Sequence, residues 1–267
     1  MENTRAKTTR NSLILLLTAT IWGMAFVSQS KGMDYMHPFT FNGVRSLIGA
    51  AGILVYILIS RKIAGDKAVK LDWKLNVKAG LLCGIFLTIA STLQQFGIKY
   101  TSVGKAGFIT TLYIIFVPMF GIFLKKKVAP VVWAAAGMAA VGMYLLCMTE
   151  SLRLGAGDIM VFLCAIAFAI QIMTVDHYAA RIDGAVVSCI QFTVCGVVCC
   201  IGALIWGQPT FGQIQEGLGA LLYAGVLSCG VGYTLQIVGQ KGLNPTVAAL
   251  IMSLESVIAT ISGWIAY

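Results

Sequence analysis

Long apolar runs, interrupted by short polar or charged clusters, are the dominant pattern along this chain. With charged residues and turn formers as boundaries, the pattern predicts helices at about 12–29, 38–60, 78–98, 104–124, 128–148, 157–175, 185–206, 217–238 and 244–266. Each is close to the ~20 residues that cross a ~30 Å hydrocarbon core. Lipid cannot satisfy backbone N–H and C=O groups, so such spans are helices, and no alternating strand pattern suggests a barrel. The first run follows Arg5, Lys7 and Arg10, as a signal peptide would, but it lacks a clean small-residue cleavage site and leads into further spans. It is therefore read as a helix. The prediction is an all-α polytopic membrane protein.

Composition strengthens that reading. Of 267 residues 58% are hydrophobic and only 11% charged, against about 25% charged in soluble domains, and mean hydropathy is +0.88. A soluble globular enzyme and a disordered chain are both excluded. The net charge of +9 would suggest nucleic acid in a soluble protein, but here it follows the loops. With the N-terminus inside, fourteen Lys and Arg fall on cytoplasmic segments, including the run Lys125-Lys126-Lys127. Only Lys31, Lys99, Lys105 and Arg153 fall outside, and Arg45 lies within a span. The asymmetry predicts a multi-pass protein of the cytoplasmic (inner) membrane with a cytoplasmic N-terminus, whose macromolecular surroundings are the lipid bilayer and not nucleic acid.

The chain also repeats itself. Residues 92–121 align with 234–263 at a displacement of 142, with identities at Thr92/Thr234, Leu93/Leu235, Gln94/Gln236, Gly97/Gly239, Lys99/Lys241, Ala106/Ala248, Ile109/Ile251, Leu112/Leu254 and Gly121/Gly263. Shared Leu and Ile arise easily between apolar helices; shared Gln, Gly and Lys at one spacing do not. A weaker match at 146 pairs Leu17/Leu163, Ala19/Ala165 and Trp22/Phe168. The predicted domains are a first repeat over 1–150 and a second over 151–267. A unit of about five spans is odd-numbered, so its second copy inserts upside down, which agrees with Lys99 outside and Lys241 inside. Inverted repeats characterise secondary transporters, with solute sites near the midplane where the halves meet.

The stretch Ala106-Gly107-Phe108-Ile109-Thr110-Thr111-Leu112-Tyr113, followed by Val117-Pro118, resembles the fourth helix of EamA-type members of the drug/metabolite transporter superfamily. Ile21-Trp22-Gly23, Arg45 after Pro38, and Ser253-Leu254-Glu255-Ser256 resemble the same family at the corresponding helices. The resemblance implies ten helices in two inverted five-helix repeats that move small metabolites across the inner membrane without covalent chemistry. The sequence departs from the family at two places: a Glu-Pro pair is Glu255-Ser256 here, and a Gly-Glu pair is replaced by the lysine run. A helix ending near 148, displaced by 142 to 146, would close the second repeat near 290 to 294, whereas the chain ends at Tyr267. The expectation is a ten-helix design without its tenth helix.

Candidate transport residues are polar or aromatic groups at mid-depth. Glu255 lies about eleven residues into its span, near the bilayer centre at ~1.5 Å per residue. Ionisable groups there are costly and face the bundle interior. It can contact a cationic or zwitterionic solute, couple protons, or serve as a protonated interhelical hydrogen bond. Its repeat partner Tyr113 is expected to face the same cavity from the opposite half, with Thr110 on the same face. Trp22 at mid-depth supplies an aromatic wall. Gln94 and Gln236 are repeat mates suited either to a polar path or to closing a gate, and Gln171 and Tyr233 are weaker candidates. Arg45, whose counterpart is Gln191, is read as structural. The eight cysteines are mostly packing residues, and with His37 and His177 near loops neither metal nor haem is expected. No cofactor is expected, and a homodimer is compatible with such a bundle.

A secondary transporter of amino acids, amines or drug-like compounds, working by alternating access and acting as an exporter, is the leading reading. A passive channel is the alternative within transport. A membrane-embedded enzyme would need more than one buried Glu, and a sensor would normally carry a soluble output domain.

Overall fold

A computed structural model describes residues 2–64, 71–124 and 155–267, together with 130, 131, 133, 134, 137, 138, 141, 142 and 145. The described residues form helices and connecting turns, with no strand among them. Eight helices are long and apolar enough to cross a membrane: α1 (Ala6–Tyr35), α2 (Pro38–Ala64), α3 (Trp73–Ile98), α4 (Val103–Phe123), α5 (Ala156–Ala179), α6 (Gly184–Gly207), α7 (Leu218–Gln240) and α8 (Pro245–Ala266). They match eight of the nine sequence-predicted spans, generally running a few residues further into the flanking polar segments. The ninth, 128–148, lies largely outside the described residues; those described within it are helical.

Short polar residues start these helices by satisfying the free N–H groups of the first turn. Asp72 accepts from the Leu75 N–H, Ser102 from Lys105, and Asn244 from Thr246 ahead of Pro245 at the first helical position. Asp183 accepts from both Ala185 and Val186 N–H groups.

The polarity of the bundle is reversed relative to a water-soluble one. Gln95, Gln171, Gln191 and Gln236 are buried, while Leu54, Val55, Leu58 and Ile59 of α2 are exposed to the surroundings. That is the arrangement a lipid solvent selects, because polar side chains find partners only between helices.

The two halves are interleaved. The first helix of each repeat packs on the third and fourth helices of the other: α1 on α7 and α8, and α5 on α3 and α4. Two repeat-mate glycines permit this. A Cβ at Gly97 of α3 would collide with Val161 and the Gly157 carbonyl on α5, and a Cβ at Gly239 of α7 would collide with Leu15 on α1. Leu15 and Val161 are themselves repeat mates at the displacement of 146. The backbones thus approach at equivalent places on both sides of the bundle.

Several stretches depart from regular α-helix, including a short π-wound end of α6 at Ala203–Gly207. In α7, residues Tyr223–Gly232 are wound as π-helix, a wider winding that recurs at functional sites. In α4 and α8 the ladder tightens at one repeat-equivalent position, which builds the site described next.

Candidate functional site

The break in α4 separates Val103–Thr110 from Tyr113–Phe123, and that in α8 separates Pro245–Met252 from Glu255–Ala266. Two bonds recur in both, and α4 adds a third from Ile115 N–H to the Leu112 carbonyl. Leu112 N–H reaches the Ile109 carbonyl and Ile114 N–H the Thr111 carbonyl, while Leu254 N–H reaches Ile251 and Ser256 N–H reaches Ser253. These are three-residue closures in place of four, which wind the helix tighter and rotate the side chains that follow. The side-chain chemistry has a shared cause. Thr111 donates its hydroxyl to the Phe108 carbonyl at 2.8 Å, and its repeat mate Ser253 donates to Leu250 at 2.8 Å. A hydroxyl bonded back to its own turn competes with the backbone ladder and bends the helix. In α8 the Ser256 hydroxyl also donates to the Ser253 carbonyl at 2.8 Å, a second polar anchor where the family resemblance places a proline.

Immediately after the breaks come Tyr113 and Glu255. The Tyr113 hydroxyl donates to Glu255 Oε1 at 3.0 Å, and both side chains are buried. The contact joins the two halves at the residues that the duplication relates. The sequence expectation that these two face one cavity from opposite repeats agrees with this geometry.

Around the pair lies a narrow cavity of about 40 Å³. Its walls include all eight residues singled out from the sequence: Glu255, Tyr113, Trp22, Thr110, Gln94, Gln236, Tyr233 and Gln171. The aromatic side is continuous. Trp22 and Tyr233 lie with ring centroids 4.6 Å apart, and Phe192 meets Tyr233 edge-on at 5.0 Å. Trp22 also donates its indole N–H to the Ser228 carbonyl in the π-wound part of α7 at 3.4 Å, so the irregular winding helps to place one wall of the cavity.

The amides divide by half. Gln94 donates to the Thr110 hydroxyl at 3.3 Å, within the first repeat. Gln236 donates to Gln171 at 3.2 Å, and Gln171 to Gln191 at 3.5 Å, within the second.

Sequence reasoning left out several wall residues, among them Gln29, Ser46, Ser91, Phe168, Phe192 and Ser228. Gln29 and Phe168 carried a signal, as a polar group in the first span and the repeat mate of Trp22. Arg45 was assigned a structural role, yet the structure gives it no ion-pair partner among the described residues and puts it on the cavity wall.

The bundle ends differ. At one, Lys105 Nζ and Asp158 Oδ2 form an ion pair at 2.6 Å between α4 and α5. Asp158 also accepts from the Thr101 hydroxyl at 2.6 Å and the Gly155 N–H at 2.9 Å. At the other, Asn11 donates to the Lys241 carbonyl at 2.8 Å, and Lys241 Nζ donates to the Ile182 carbonyl at 3.1 Å.

Known proteins were compared with the chain. The profile of the EamA-like transporter family matches twice, over residues 10–148 and 155–267. An uncharacterized transporter of Archaeoglobus fulgidus is 30% identical over 171 residues, covering 62% of this chain and 48% of its own length, so the chain spans about half of that relative. An uncharacterized transporter of Clostridium kluyveri is 24% identical, with 93% of this chain and 83% of the relative covered. The uncharacterized transporter YwfM of Bacillus subtilis is 26% identical, with 94% and 84% covered. A solved crystal structure overlays with a TM-score of 0.74, covering 95% of this chain and 86% of its own, at 16% identity. That likeness concerns the fold.

Proposed function

The chain belongs to the EamA-like transporter family, and from that premise we propose that it is a secondary transporter of small organic solutes working by alternating access. The observation that carries the reading is the meeting of two equally broken helices, one from each inverted repeat, at the buried Tyr113–Glu255 hydrogen bond. Two halves with the same weak point can exchange conformations, opening the cavity first to one side and then to the other. A cavity with one carboxylate, an aromatic wall and several amides suits amino acids, amines or drug-like compounds.

Glu255 then serves as the polar anchor for the solute, with Tyr113 orienting it and Trp22 and Tyr233 stacking on its apolar part. Gln94, Thr110, Gln171 and Gln236 offer hydrogen bonds along the path. In this reading the protein sits in the cytoplasmic membrane with its N-terminus inside, following the Lys and Arg bias, and acts as an exporter. The Lys105–Asp158 end is then the outer one, closed by charge.

Counterflow in proteoliposomes tests the mechanism. Preloading the vesicles with unlabelled solute should accelerate entry of the labelled form, because the reorienting step is shared. Equal rates with and without preload, rising linearly with concentration, would assign the protein to passive channels instead.

A further inference from the structure

Arg45 is a buried cation on the cavity wall. It projects from α2, is only 5% exposed, and lines the same cavity as Glu255. Its Nε has no hydrogen-bond acceptor, and no ion pair to it occurs among the described residues. The Phe41 ring lies 5.4 Å from its guanidinium carbon. A cation–π contact contributes less than burying a charge costs. A guanidinium cannot relieve that cost by losing its proton.

Among the described residues no carboxylate forms an ion pair with it. Glu255 presents Oε1 to Tyr113, and Asp158 is taken by Lys105, Thr101 and Gly155. The fold does not demand a charge there either. At the repeat-equivalent position Gln191 is a neutral amide in the cluster with Gln171 and Gln236.

Beside Arg45 on the wall stand Ser46 and Ser91. Each has a cysteine sulfur as a partner, with Ser46 Oγ and Ser91 Oγ at 3.5 and 3.4 Å from Cys195 Sγ. Sulfur is a weak acceptor, so the Ser46 hydroxyl can turn to a better one at little cost, while the Ser91 hydroxyl would also give up a 3.4 Å bond to the Thr88 carbonyl.

We infer that Arg45 is the anion-recognition residue of the cavity, and that the transported solute carries a carboxylate which docks on its guanidinium with Ser46 and Ser91 as further donors. A carboxylate matches the guanidinium fork with two parallel bonds and a single compensating charge. A dianionic phosphate would bring surplus negative charge into a cavity that already holds Glu255. Glu255 and Tyr113 meet the opposite pole, so the cavity offers a cation and an acid to a solute with two poles. This rests on the transport reading above.

The test uses the full chain in proteoliposomes and a matched trio: L-leucine, L-leucinamide and 3-methylbutylamine. Uptake of leucine should exceed that of the amide and the amine by about tenfold or more, the worth of a charge-assisted hydrogen bond. Arg45→Gln should bring the three within about twofold, and Arg45→Lys should restore part of the preference. As a second readout, phenylglyoxal labelling at residue 45, resolved by mass spectrometry on the wild-type chain, should be protected by leucine and not by leucinamide; it needs no folded variant. A preference that persists in Arg45→Gln, or wild-type uptake of the amine and amide without the acid, would overturn the role of Arg45 and leave transport standing. Uptake of none of the three, with no protection at residue 45, would overturn the assignment.

Discussion

Around Thr111 and around Ser253 the backbone makes the same turns with recurring hydrogen bonds, yet the next inward-facing group is a phenol in one half and a carboxylate in the other. The same contrast runs outward from the centre. Arg45 has Gln191 as its counterpart, and Lys105 and Asp158 have Val247 and Ser12. The duplicated part is the mechanical part: breaks, caps and glycine contacts. The charged and acidic groups, Glu255, Arg45 and the Lys105–Asp158 pair, are not duplicated, although the cavity amides Gln94 and Gln236 are. An alternating-access device needs equivalent halves to move, but a solute has distinct ends, so its binding groups gain nothing from being copied.

The sharpest way to break this comparison is at its centre. Glu255→Gln should lower transport about a hundredfold, whereas Tyr113→Phe, which removes one hydrogen bond, should lower it about tenfold. Initial uptake rates at matched protein levels check this, and equal losses would make the two residues a single unit rather than anchor and orienter. Next in size, Lys105→Met should destabilise the fold by about 3–5 kcal/mol, because it strands a buried Asp158. Lys105→Met with Asp158→Leu should recover most of that in denaturant titrations.

The mechanical symmetry predicts matched losses. Gly97→Leu and Gly239→Leu should each cost about 1–3 kcal/mol by overpacking against the other repeat. Gly52→Ala, where no atom lies within 4 Å of an added Cβ, should be silent or slightly stabilising. Smallest of all, Thr111→Val and Ser253→Ala should each change stability by no more than about 1 kcal/mol. Their effects on transport should be alike, since each straightens the same turn; a large effect in one half alone would show that the breaks are not equivalent.

Much of the architecture was legible in the chain. Apolar length gave eight spans to within a few residues, because lipid imposes one period and one length on any crossing helix. The displacement of 142 paired Tyr113 with Glu255 before any geometry was known, because duplicated positions in inverted halves meet at their shared axis. The helix breaks were not legible. Thr111 and Ser253 look like ordinary small polar residues, and only the direction of their hydroxyls shows that they tighten the turn. The π-winding of Tyr223–Gly232 was equally hidden, since windings of one helix differ by little in local preference.

By itself, then, the sequence determined the solvent, the spans, the duplication and which polar groups had to turn inward, since burial in lipid admits few alternatives for each. What only the tertiary structure decided was who faces whom. Arg45 could have found an acid, snorkelled to an interface or faced the cavity, and each outcome was compatible with its place in α2. That choice depends on the angles at which α2, α6 and α7 pack, and those follow from side-chain contacts between distant parts of the chain. It left a buried positive charge, without an ion-pair partner among the described residues, on the wall of the cavity that Glu255 also lines.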